Sequence, residues 1–301
     1  MTEGDNSTPK RVEIYNSEYV ARYFALEAED KKVLEFPVDV PMIVHSRKDS
    51  RKLHQAATEI SRGIYKPKRV EKLVSRLAER SLSSKKRKNI VDELVTTRKA
   101  LQLERSSWLL FDESHRCPKE LHKLVSYMGR LKDFPGEETK HAKNLKKVVK
   151  RYNEKKDKIE NRFEPSKAKG VRKYLRNTSN KMRGILANPK PKKVELQHDL
   201  RKEGTRVFMN LFKTDLIRDN NPYRKGMTQT QEAYLFFKGI DHDIGKLHDK
   251  VYKKHRKGKK ASMDIDKKTR KRLVKGLSRL SNHWDSELKK VNKKSAKKHK
   301  K

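Results

Sequence analysis

At 301 residues the chain can hold one large or two small domains with a sizeable core, yet hydrophobic residues are only 33% of it and charged residues 39%, against about 25% charged in ordinary domains. Lys and Arg number 79 against 39 Asp and Glu, a net charge of +40 that a compact body relieves by meeting a polyanion. The single Cys117 excludes an intramolecular disulfide and a thiolate zinc site, no apolar run approaches the ~20 residues of a membrane span, and MTEGDNSTPKR has no signal-peptide core, so a soluble, reducing, cytoplasmic setting is expected.

Residues 1–40 run against the rest, with five basic and nine acidic side chains, and form an acidic extension. Within it Ser17 to Phe36 has helical spacing that EFPVDVP stops. Glu27, Glu29 and Lys31 spell a string similar to that of triphosphate-tunnel enzymes, but the strands of that barrel have no counterpart here, and the string is read as coincidence. From His45 onward helix follows helix: Lys48 to Tyr65, Lys68 to Leu82 and Lys85 to Leu110, with Leu73, Val74, Leu77, Ile90, Leu94 and Leu101 as core candidates. Pro118 opens a helix carrying His122, where a missing N–H costs nothing, and FPGEE closes it. Thr139 to Phe163 and Lys167 to Leu186 follow, and Pro189 to Lys193 separates them from a helix carrying His198. DNNPYRKGMTQT reads as a loop before the helical YLFFKGIDHDIGKLHDKV. From Lys250 on there are 22 basic residues against four acidic; Leu273, Leu277, Leu280, Trp284 and Leu288 keep helical spacing over Lys267 to Val291, and KKSAKKHKK is expected to fray. The pattern gives an all-α bundle over 41–295, with halves near 41–164 and 165–295 and a basic disordered tail over 296–301.

The most specific signal lies in two helices. With His198 at zero and 100° per residue, Lys202, Thr205, Arg206 and Met209 fall within about 80° of it, while Leu200, Gly204, Val207, Phe208 and Leu211 cover the other side. ELHKLVSYMGRLKDF repeats the layout: His122, Leu124, Arg130 and Leu131 match His198, Leu200, Arg206 and Val207, the mark of an internal duplication.

These helices resemble the CHAD family, the conserved-histidine α-helical domain, whose motif runs approximately H-x-L-R-x3-[RK]-[RK]-L-R. The first copy supplies His122, Leu124, Arg130, Leu131 and Lys132, with Val125 and Gly129 where basic residues are expected. The second supplies His198, Leu200, Arg201, Arg206 and Val207, with Thr205 and Phe208 as departures. Ile240, Ile244, Gly245, Leu247 and Asp249 fit the family's L-Q-x-x-L-G-x-L-x-D helix, which has no equally clear counterpart near Val148 to Asp157. The resemblance, spanning Val44 to about Lys294, implies two four-helix bundles related by a pseudo-twofold axis. It also implies a basic groove binding inorganic polyphosphate, without catalysis, metal or cofactor, and association with polyphosphate granules. His122, Lys123, Arg130, Lys132, His198, Arg201, Lys202, Arg206 and Lys246 are then the phosphate-binding set. The composition agrees independently: a chain of phosphates offers no bases to stack, so its receptor needs many Lys and Arg donors and few aromatics, which are 7% here. Histidine in the groove gains charge as pH falls, which strengthens binding mildly.

Duller readings stand beside these. Arg130, Lys202 and Arg206 fit solvated helix charges, His122 and His198 fit helix contacts, and Asp249 fits a salt bridge or cap. A helical RNA- or DNA-binding protein is the main rival, supported by the charge and tail. The enzyme alternative rests on His242, Asp243, Ile244, Gly245 and Lys246, which look like the HD-I-G-K string of HD phosphohydrolases, with His198 and Asp285 as further metal ligands.

Overall fold

The computed structural model describes residues 43–79, 81–133, 136–187, 200–218, 229–256 and 265–298. The Ser17 to Phe36 helix, the Glu27 to Lys31 string, the Pro189 to Lys193 separator, His198 and most of DNNPYRKGMTQT lie outside them. The protein is all-α: α1 Arg47–Ile64, α2 Pro67–Leu77, α3 Ser84–Phe111, α4 Lys119–Asp133, α5 Glu138–Glu160, α6 Ala168–Ala187, a π-helical turn Leu200–Thr205 leading into α7 Arg206–Arg218, α8 Gln229–Arg256 and α9 Lys267–Lys298. No described helix is long and apolar enough to cross a membrane. Helix α2 stops at Leu77, short of the expected Leu82, because the chain tightens as Ala78 N–H bonds the Val74 and Ser75 carbonyls, while the Arg87 guanidinium of α3 takes the Leu77 and Glu79 carbonyls at 3.2 and 3.1 Å. Helix α9 continues past Val291 into the segment expected to fray.

The described residues divide into two units, 57–105 with 117–162, and 43–56 with 106–116 and 163–298. In the first, α5 packs on α2 and α4. The apolar stripes close on one another: Leu73, Val74 and Leu77 of α2, Ile90, Leu94 and Leu101 of α3, Leu121, Leu124, Val125 and Met128 of α4, and Leu145 and Val149 of α5 are all buried. Polar groups enter this core as a connected set. Tyr152 donates to Glu104 at 3.2 Å, and Tyr65, edge-on to the Tyr152 ring, donates to Asn153 at 2.6 Å. Asn153 in turn donates to Glu71 at 2.6 Å. Glu104 is only 3% exposed. Burial raises its carboxyl above the usual range, against the Ser61 and Tyr152 hydroxyls and the charges of Lys156 and Arg62. Burial likewise pushes both phenols well above their ordinary values and the Cys117 thiol up to about 12, leaving an inert thiol.

In the second unit α6 packs on α9 and α7 on α8, with the π turn against α6 and α8. Phe208, Phe212 and Phe237 stack in its centre, with Leu273, Leu277, Leu280 and Trp284 of α9 buried as the spacing predicts. A clasp holds the first part of α1 to this core. Glu113 N–H bonds the Glu164 carbonyl at 2.8 Å and Ser166 N–H the Phe111 carbonyl at 2.7 Å. The buried Asp112 carboxylate accepts Glu164 N–H at 3.0 Å, and the Ser50 hydroxyl donates to the Ser166 carbonyl at 2.8 Å. His54 completes it, stacked on Phe163 at 3.6 Å, edge-on to Trp108 and 2.9 Å from the Ser107 hydroxyl.

The raised Glu104 carboxyl gives a pH signature. The folded chain holds that proton more tightly than the unfolded chain, so the associated stability is full below the ordinary Glu pKa of about 4.3 and is lost as pH rises through the raised value. Glu104→Gln should therefore raise Tm over wild type at pH 7.5, by about 2–4 °C per kcal/mol, with the gap closing by about pH 4. Calorimetric scans of both proteins across that range measure it; a gap that does not change with pH would contradict the assignment.

Candidate functional site

Helix α4 carries the first motif. Its N-terminus is set by Pro118, whose carbonyl accepts His122 N–H at 2.9 Å. Since its apolar residues face the core, His122, Lys123 and Arg130 are exposed, Arg130 lying 4.6 Å over the Tyr127 ring. The Lys132 side chain lies outside the described residues. Gly129, where the family motif has a basic residue, leaves room for a cation from elsewhere: a Cβ there would sit 2.8 Å from Arg98 Nη2. Arg98, from α3, crosses this point and donates to the Val125 carbonyl at 3.2 Å. Sequence reasoning missed Arg98; its only signal was a glycine inside a helix one turn after Val125.

The second motif is built differently from the uniform helix expected. Leu200–Thr205 is π-helical, and the wider turn brings the Thr205 hydroxyl to the Leu200 carbonyl five residues back, at 3.1 Å. Thr205, expected on the charged side with His198, is therefore fully buried. Leu200, Gly204, Val207, Phe208 and Leu211 are buried as expected. Gly204 is required by close approach, since a Cβ there would run into the sulfur of the buried Met182 side chain. The Lys202 side chain is not among those described.

Arg201 and Arg206 meet at one carboxylate. Their Nε atoms donate to the same Asp241 oxygen at 3.0 and 3.2 Å, with side-chain exposures of 23%, 19% and 18% for Arg201, Arg206 and Asp241. The Arg201 guanidinium also lies across Gly245, where a Cβ would sit 2.8 Å from Nη2. Two cations around one anion keep a net positive charge, and their shared bond fixes both forks before any ligand arrives. Lys246, on α8 beside Gly245, is exposed, as is Asp249. Arg201, Arg206 and Lys246 thus belong to the second unit, and His122, Lys123 and Arg130 to the first.

The HD-like string has other employment. His242 is 62% exposed at its side chain, Asp243 accepts from Arg272 at 3.2 Å, and Asp285 pairs with Arg176 at 3.5 Å. Among the described residues no group of three or more His, Cys, Asp or Glu is placed to hold a metal ion. Compared with protein-family models, curated proteins and solved structures, the chain matches none.

Two glycines should respond oppositely. Gly204→Ala drives a methyl into Met182 inside the core and should cost about 1–3 kcal/mol. Gly245→Ala meets only the movable end of Arg201 and gains about 1 kcal/mol of helix propensity, so it should leave stability nearly unchanged while displacing Arg201 from Asp241. Urea denaturation separates the two; equal losses would show that the guanidinium is not the group lying on Gly245.

Proposed function

We propose that the chain is a non-catalytic module that binds inorganic polyphosphate, built as CHAD proteins are, from two related helical bundles. One observation carries the reading: Arg201, from the histidine motif, lies across Gly245, from the L-G-x-L-x-D-like helix, and shares Asp241 with Arg206. The two stretches that form the resemblance are thus complementary in space, and the glycine has a physical reason to be there. The duplication gains support from a repeated pairing, since α4 packs on the helix that follows it and so does α7.

Polyphosphate suits the groups presented. His122, Lys123 and Arg130 project from one helix whose other side is core, at spacings set by the ~5.4 Å helical pitch. Donors in such a row follow a repeating anion without reading any base. A chain of this charge in the cytoplasm would then associate with polyphosphate granules.

The test is a competition titration at near-physiological salt, with labelled long-chain polyphosphate displaced by unlabelled polyphosphate or by single-stranded RNA at equal phosphate concentration. Polyphosphate should win by about tenfold or more, ~1.4 kcal/mol. RNA competing equally or better would make nucleic acid the partner. Lys123→Gln with Arg130→Gln should weaken long-chain binding more than removal of residues 293–301; equal losses would mean diffuse attraction.

A further inference from the structure

We infer that Lys156, on α5, is a carbamylation site: its amine takes up dissolved carbon dioxide, and the carbamate so formed pairs with Arg62 and Lys66. The site lies outside both histidine motifs and goes beyond the polyanion reading without resting on it. All the groups it uses belong to the first unit.

Helix α5 puts Lys156 one turn after Tyr152 and one turn before Glu160. Tyr152 is buried and donates to Glu104, and Lys156 on the same side is half-buried, unlike its exposed neighbours Lys155 and Lys158. Glu160 is the carboxylate that an amine at this spacing would ordinarily meet, but the Arg62 guanidinium holds both of its oxygens from α1. Lys155 has Glu120 at 3.0 Å. Among the described residues nothing comparable reaches Lys156, which has no ion pair and no hydrogen bond.

The charges around it favour an anion. Arg62 and Lys66 face it from α1 and the turn that follows, Glu104 faces it from α3, and Asp157 stands beside it on α5. Glu104 is buried and keeps its proton above the usual carboxyl range, which makes it a weak counter-charge. Burial, with the charges of Arg62 and Lys66, draws the Lys156 ammonium below the ordinary lysine range, against Glu104 and Asp157. A cation here is half-buried without a partner, whereas an anion would have two.

Carbamylation makes that exchange. The free amine is the nucleophile, and partial desolvation beside other cations raises its share. Its lone pair forms the nitrogen–carbon bond, one carbon–oxygen π bond closes onto oxygen, and a nitrogen proton leaves to water. One amine and one carbon dioxide thus give one carbamate and one proton, with nothing oxidised or reduced. Arg62 commits Nε and Nη2 to Glu160, so Nη1 remains to donate to the new anion, and Lys66 is exposed and free to turn toward it.

The experiment equilibrates the full chain with bicarbonate near neutral pH, traps carbamate by ethylation with a trialkyloxonium salt, and locates the modified lysines by peptide mass spectrometry. The exposed Lys150 and Lys158 of the same helix are the internal reference. Trapped carbamate at Lys156 should exceed that at either by about fivefold or more, and should rise with pH as ammonium gives way to free amine. Arg62→Gln with Lys66→Gln should lower it by about threefold or more. Lys66→Gln alone, a change at an exposed side chain, should lower it in the same direction and keeps the test open if the double variant unfolds. Lys156→Arg retains the positive charge and should abolish it. Bicarbonate should raise Tm over chloride at equal ionic strength in wild type but not in Lys156→Arg. Labelling at Lys156 no greater than at Lys150 and Lys158, labelling that survives loss of the Arg62 and Lys66 charges, or a Tm rise that Lys156→Arg shares would overturn the proposal.

Discussion

Excess positive charge is the constraint to which every packing decision in this protein answers. With 79 basic side chains against 39 acidic ones, most cations must face water, and each one that enters the interior needs a dedicated acceptor. The interior solutions are economical. Arg87 takes two carbonyls at the end of α2, Arg98 takes one inside α4, and Arg201 and Arg206 share one carboxylate. Where acceptors are scarce, carbonyl oxygens serve in place of acids.

Glycine is the complementary device. Arg98 over Gly129 and Arg201 over Gly245 are the same solution in the two units: removing one Cβ lets a guanidinium lie flat on a helix and reach an oxygen one turn back. A basic residue at position 129 would have put its stem where Arg98 now lies. A guanidinium from another helix therefore covers position 129.

The fold was largely legible because a chain with few apolar residues must arrange them strictly. Leu73, Val74, Leu77, Ile90, Leu94 and Leu101, chosen by spacing alone, are all buried, and helix boundaries such as Arg47–Ile64 and Ser84–Phe111 fall within a residue of their expected positions. What periodicity missed is what departs from 3.6 residues per turn or comes from far along the chain. The π turn at Leu200–Thr205 rotates Thr205 into the core, and no composition signal announces it. The meeting of the α1 cations with Glu113 and Glu164 around one cavity has no trace in the spacing, because those carboxylates lie far along the chain. The Asp241 that Arg201 and Arg206 share lies 40 and 35 residues further along the chain, a separation at which spacing gives no sign of pairing.

The clasp has a consequence for how the chain is made. It joins Ser50, the turn after α3 and residues 163–166, so the first turns of α1 have no docking surface until about a hundred further residues have been synthesised. The residues that bury Leu53 and His54 against Phe163 must wait while the intervening helices assemble around their own local contacts. On a ribosome, the start of α1 thus emerges well before residues 163–166 and settles only after them, its apolar face unpaired in the interval. Charge beside an unpaired apolar face opposes aggregation, and the exposed Lys48, Arg51 and Lys52 lie on the outer side of that waiting segment.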